Sequence, residues 1–216
     1  MSPLRCPAVT PPAATALAAA LLLLAAACGG DGDANASPSS EASSTSRQVS
    51  GGELIGPADE GIEGVEAFEV ASRHHTQDDL TYDREPPVGG EHYPVPGTCG
   101  FYDVDQGPDE VPPEEFLVHD LEHGAIWIAY DPALPDDARD VIRALVQDQP
   151  RVVATPAEDL DTPLVVTAWG RQLALDAVDD ERLLAFIDQY RGGGGAPEAG
   201  SACAGAGTPA VPAARS

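Results

Sequence analysis

All five histidines of the chain, His74, His75, His92, His119 and His123, fall between Ser72 and Gly124. His119, Glu122 and His123 stand in the run His-Asp-Leu-Glu-His. On a helix, residues at i, i+3 and i+4 share one side, so both imidazoles and the carboxylate point together. Two histidines at that spacing are a common half-site for zinc or copper, and His75 and His92 can complete it from the segment upstream. The candidate metal ligands are therefore His75, His92, His119, Glu122 and His123. After Met1 there is no further methionine, so thioether-bound copper(I) is disfavoured and imidazole-bound zinc or copper(II) fits better.

Two other readings compete. Histidines near a helix C-terminus can simply satisfy its last carbonyls and dipole, and His74 beside His75 can be a solvated pair. The same five residues also match H-x-x-E-H, the inverted zinc-protease signature, with Glu122 as general base. Its context is missing, because Pro113 and Gly124 limit the helix to about ten residues where such proteases use a long one. Neither a G-x-S-x-G elbow nor a phosphate-cradling loop is present, and the glycines at 192–195 follow a helix instead of opening one.

The elements that must position these side chains can be read from pattern. Residues 72–111 are rich in Pro, Gly, Asp and Tyr and read as a long set of turns. A short helix follows Pro113 and ends at Gly124, and the run Ala-Ile-Trp-Ile-Ala-Tyr from Ala125 is a strand. Pro135, Asp136 and Asp137 open a helix that should bury Val141, Ile142, Leu145 and Val146. Residues 151–154, 163–169 and 172–175 read as strands, with Gly170 and Arg171 as a two-residue hairpin turn. A last helix over 179–191 should bury Leu183, Leu184, Phe186, Ile187 and Tyr190. A short strand is expected within 62–70. The fold class is α+β: a single small domain over residues 53–203, with a mixed or antiparallel sheet, two main helices and the long turn-rich segment.

The N-terminus reads as a leader. Arg5 precedes an apolar stretch over 13–27 that is too short to span a bilayer. Ala25, Ala26 and Ala27 then lead to Cys28, which resembles the lipobox of bacterial lipoproteins, with Leu24 one position earlier than the usual Leu. Residues 1–27 are thus expected to be a signal peptide, and Cys28 a lipidated residue anchoring the chain to the outer face of the membrane. Residues 28–52 read as a flexible tether and 204–216 as a disordered tail. The formal charge of −25 and the absence of lysine exclude nucleic acid as a partner and favour cations near the surface. Two cysteines remain in the exported domain, Cys99 and Cys203, and in an oxidising compartment they should pair.

The runs PPVGGEHYP, CGFYD, VHDLEHGAIWIAYDP, TAWGRQLALD and PEAGSAC resemble, in order, the bacterial domain-of-unknown-function family 3105. The resemblance implies an extracytoplasmic, often lipid-anchored protein with His75, His92, His119, Glu122, His123, Cys99 and Cys203 at motif positions. It implies no activity. The family's usual serine in VHSLEHG is Asp120 here, and an Asp120 bonded to an imidazole would orient a ligand. The reading that follows is a metal-binding accessory lipoprotein in preference to an enzyme. A metal-free envelope interaction module is the alternative, and a zinc hydrolase the third.

Overall fold

A computed structural model describes residues 46–58, 60–107, 110–200 and 203. The expected signal peptide, Cys28, the tether as far as residue 45 and the tail from 204 lie outside the described residues. Along the chain run β1 (Arg47–Val49), β2 (Glu53–Pro57), β3 (Glu66–Glu69), β4 (Leu80–Tyr82), α1 (Glu114–Glu122), β5 (Ile126–Tyr130), α2 (Asp136–Asp148), β6 (Val152–Pro156), β7 (Leu164–Ala168), β8 (Arg171–Leu175) and α3 (Glu181–Tyr190). Six strands form one mixed sheet in the order β2-β3-β8-β7-β5-β6, in which only β5 and β6 run parallel. The fold is a small α+β domain.

Strand β5 shows why the sheet lies where it does. Its residues are all buried, because helices cover both of its faces. Ile126, Ile128 and Tyr130 join Ile142 and Val146 of α2 and Leu183, Phe186, Ile187 and Tyr190 of α3 in one core. Trp127 and Ala129 point the other way, onto Leu117 and Leu121 of α1. Strand alternation thus sorts one continuous apolar run between two cores. Among the described residues α1 is therefore the one helix on its side of the sheet, with the turn-rich segment packed around it.

Several expectations shift. Val141 and Leu184 are about half exposed; each lies some 100° around its helix from a core neighbour, Ile142 or Leu183, and the seams are narrower than the apolar residues suggested. Ala168 pairs with Arg171, so the hairpin turn is Trp169–Gly170, and Gly170 takes the positive φ of 68°. The expected tether also ends early. Residues 47–49 form β1, which pairs in parallel with β4, and Gly51 is held by its N–H to Asp83 and its carbonyl to the Val88 amide. Among the described residues no helix is long and apolar enough to cross a membrane.

Candidate metal centre

Helix α1 begins after Pro113, whose fixed φ suits a helix start, and every residue from Glu115 to Glu122 is buried. Leu117 and Leu121 face the sheet, and Phe116 stacks on Tyr93 with ring centroids 4.5 Å apart. His119 and Glu122 then face the loop that carries the other histidines. At the C-terminus the His123 amide caps the helix, and Gly124 takes φ 83° to leave it.

The loop delivers two more imidazoles. Residues 75 and 92 pair as an isolated parallel bridge, with Thr76 N–H donating to the His92 carbonyl and His92 N–H to the His74 carbonyl. The four candidate ligand atoms of His75, His92, His119 and Glu122 all lie within 4.8 Å of one another. His92 Nε2 is 3.0 Å and His75 Nε2 3.6 Å from Glu122 Oε2. Four donors about 2.0–2.1 Å from a tetrahedral ion would stand roughly 3.3 Å apart, within the spread of those two distances.

Hydrogen bonding fixes what these atoms can do. His92 Nδ1 lies 2.8 Å from the Gly90 carbonyl and His119 Nδ1 2.6 Å from the Tyr93 carbonyl. A carbonyl only accepts, so both Nδ1 atoms carry the proton, and in the neutral ring each Nε2 presents a bare lone pair to the cluster. Burial holds both rings in that form: it lowers the pKa of His92 and brings that of His119 down to about 4, against the opposing pull of the two carbonyls. His92 Nε2 therefore meets a carboxylate oxygen at hydrogen-bond distance with no proton of its own to give. Imidazoles steered by backbone carbonyls, with lone pairs converging beside a carboxylate, are the arrangement of a metal site. Three imidazoles and one carboxylate make an N₃O donor set that could hold a metal ion.

Exposure is graded across the site. His92 and Glu122 are almost fully buried, whereas the His75 side chain is 44% exposed and stacks on His119 at 4.9 Å, so His75 is the side from which an ion can arrive. The Trp169 ring lies edge-on to His92 at 6.1 Å.

The expected ligand set is thus partly regrouped. His75, His92, His119 and Glu122 come together, while His123 groups instead with Glu122 and Glu198, although its Nε2 remains 3.0 Å from His119 Nε2. In the protease-like reading both α1 histidines ligate and Glu122 stands free as a base. Here Glu122 sits among the ligand atoms and His123 outside that group, which counts against it. His74 is exposed and takes no part. Asp120 does not orient an imidazole: it is fully buried beside Gly97, where a Cβ would lie 2.7 Å from its Oδ2. Neither Asp120 oxygen has a hydrogen-bond partner, and burial pushes its carboxyl up to about 8.

Glu198 was not among the expected ligands. It lies far along the chain from α1, and its only sequence signal is its place in the PEAGSAC run. The Glu198 amide donates to the Glu122 carbonyl at 3.0 Å, and Cys203, five residues on, sits at disulfide distance from Cys99, with Cα atoms 5.7 Å apart.

No curated protein and no solved structure matches the chain. The model of a family described as protein of unknown function, DUF3105, matches residues 74–205, more than half of the sequence. That stretch contains every residue of the cluster, Glu198, and both cysteines of the pair. With the motifs and the matched length in agreement, the chain belongs to the DUF3105 family.

Proposed function

We propose that this protein binds a divalent transition-metal ion, zinc or copper(II), through His75, His92, His119 and Glu122, and that it does so outside the cell as a lipoprotein anchored through Cys28. One observation carries the metal reading. Two buried imidazoles, each committed at Nδ1 to a backbone carbonyl, aim unprotonated Nε2 atoms into a space that also receives a carboxylate. Lone pairs gathered in this way repel one another unless a proton or a cation lies among them. The acidic surface field would concentrate cations around the site.

Anchoring rests on the leader and on the small residues that precede Cys28. Two acyl chains on one cysteine suffice for stable attachment. A Cys28→Ser variant should then be soluble or uncleaved, and correct cleavage with tight membrane retention would refute the anchor.

Element analysis of protein purified without chelators tests the metal reading. At least one zinc or copper ion per chain should survive dialysis, and His92→Ala and His119→Ala should each lose it. Protein that is metal-free and rejects micromolar zinc and copper(II) would instead be a metal-free envelope module with a hydrogen-bonded histidine core.

A further inference from the structure

The inner site leaves His123 and Glu198 over, and these two residues share Glu122 with it. Ligand atoms of Glu122, His123 and Glu198 lie within 4.8 Å of one another. His123 Nε2 is 3.4 Å from Glu198 Oε2 and 3.0 Å from His119 Nε2. Its Nδ1 is buried with no hydrogen-bond partner, so all of the ring's polar contacts are made through Nε2.

With His119 Nε2 given to the inner ion, two carboxylates and one imidazole still converge here, a mixed donor set that a cation can hold together. Glu198 is moreover set in place by three separate ties: its amide to the Glu122 carbonyl, the Gly192 amide to the Gly124 carbonyl at 2.7 Å, and the Cys99–Cys203 pair. The segment that carries it is therefore folded against the end of α1.

We infer that the chain holds a second, outer cation position formed by Glu122, His123 and Glu198, with the Glu122 carboxylate shared between it and the inner site. This rests on the inner-site reading above. With a side chain 50% exposed at Glu198, the outer position opens to solvent and has fewer protein donors, so water completes it and it binds more weakly than the inner one. A divalent transition ion of the kind held inside fits its mixed imidazole and carboxylate donors. Two ions sharing a carboxylate stand about 3.5–4 Å apart in other two-metal sites.

The test is a zinc titration of the full mature chain by equilibrium dialysis with element analysis, followed by copper(II) loading and electron paramagnetic resonance. Wild type should take up two equivalents, the second more weakly, and the copper-loaded form should show a spin-coupled pair. Glu198→Gln changes a half-exposed side chain and should keep the circular dichroism of the fold. It should bind one equivalent and give the spectrum of an isolated copper(II) ion. A wild type that binds only one equivalent, or a Glu198→Gln chain that still binds two, overturns the outer position and leaves the inner one standing. Uptake of no zinc by wild type overturns both.

Discussion

Replacing Asp120 by asparagine should make the protein more stable, and by an amount that grows with pH. The Asp120 side chain is fully buried on α1 and neither oxygen is hydrogen-bonded. The Gly97 amide nearby pulls the pKa down slightly, yet it is directed to the Phe116 carbonyl at 3.3 Å, so desolvation dominates and the carboxyl is pushed from 3.8 to about 8. A group whose folded pKa lies above its unfolded one favours folding at low pH, and that contribution is lost as pH rises from about 4 to about 8. At roughly 1.4 kcal/mol per pKa unit, keeping the proton on Asp120 at pH 7 costs the fold about 4 kcal/mol relative to acid. Asparagine has the same shape and no charge, but brings a buried amide without partners, at about 1–3 kcal/mol. The net expectation is Asp120→Asn more stable by about 1–3 kcal/mol at pH 7. Urea unfolding of both proteins in chelator should show the gap widening by about 1.4 kcal/mol per pH unit between pH 5 and 8, with every other titration cancelling in the difference. A gap that stays constant over that range would refute the reasoning, as would a variant less stable at pH 8.

Metal affinity should hold through the ordinary histidine range and fail further into acid. Burial lowers the pKa of His92 and takes that of His119 to about 4, so protonation of these two buried ligands competes with the ion only below the ordinary histidine range, and complete release centred near the unperturbed value of roughly 6.5 would contradict the burial found here. Gly90→Ala should weaken metal binding about 10–100-fold without touching a ligand. At φ 129° its new Cβ would lie 2.5 Å from the Ser50 carbonyl, displacing the carbonyl that orients His92, and unchanged affinity by calorimetry would sink the idea. Cys203→Ser should destabilise the domain by about 4–5 kcal/mol in the chain-entropy picture, given a separation of 104 residues. An unchanged denaturation midpoint would show the bond to be absent in the folded protein.

The parts of the fold legible in the sequence were those set by local pattern. Pro113 and Gly124 bracket α1, and the apolar runs of β5 to β8 and the periodicity of α2 and α3 carry their own signal. Strands β1, β2 and β4 carry none, being three to five residues long and mostly exposed or half-buried; they exist because of the strands they pair with. The site divides in the same way. His119 and Glu122 are helix neighbours and could be paired by spacing, and His75 and His92 stand with His74 as the histidines of one upstream segment. Spacing also grouped His123 with them, but it occupies the helix cap, and the chain turns there toward Gly192 and Glu198.

The early end of the tether bears directly on the site. The carbonyl that orients His92 belongs to Gly90, and the turn carrying it leans on residues first read as tether. Gly90 packs against the Ser50 carbonyl, Val88 donates to Gly51, and Arg47 pairs with Glu91 at 2.7 Å. Tyr82, from the strand that β1 joins, donates its hydroxyl to the Glu91 carbonyl at 2.6 Å. Buried imidazoles have value as ligands only where their lone pairs are already aimed. The aim of His92 is therefore set where the tether meets the domain, so a chain cut at residue 53, the boundary suggested by composition, would keep every ligand and lose the contacts that hold the most buried one in line.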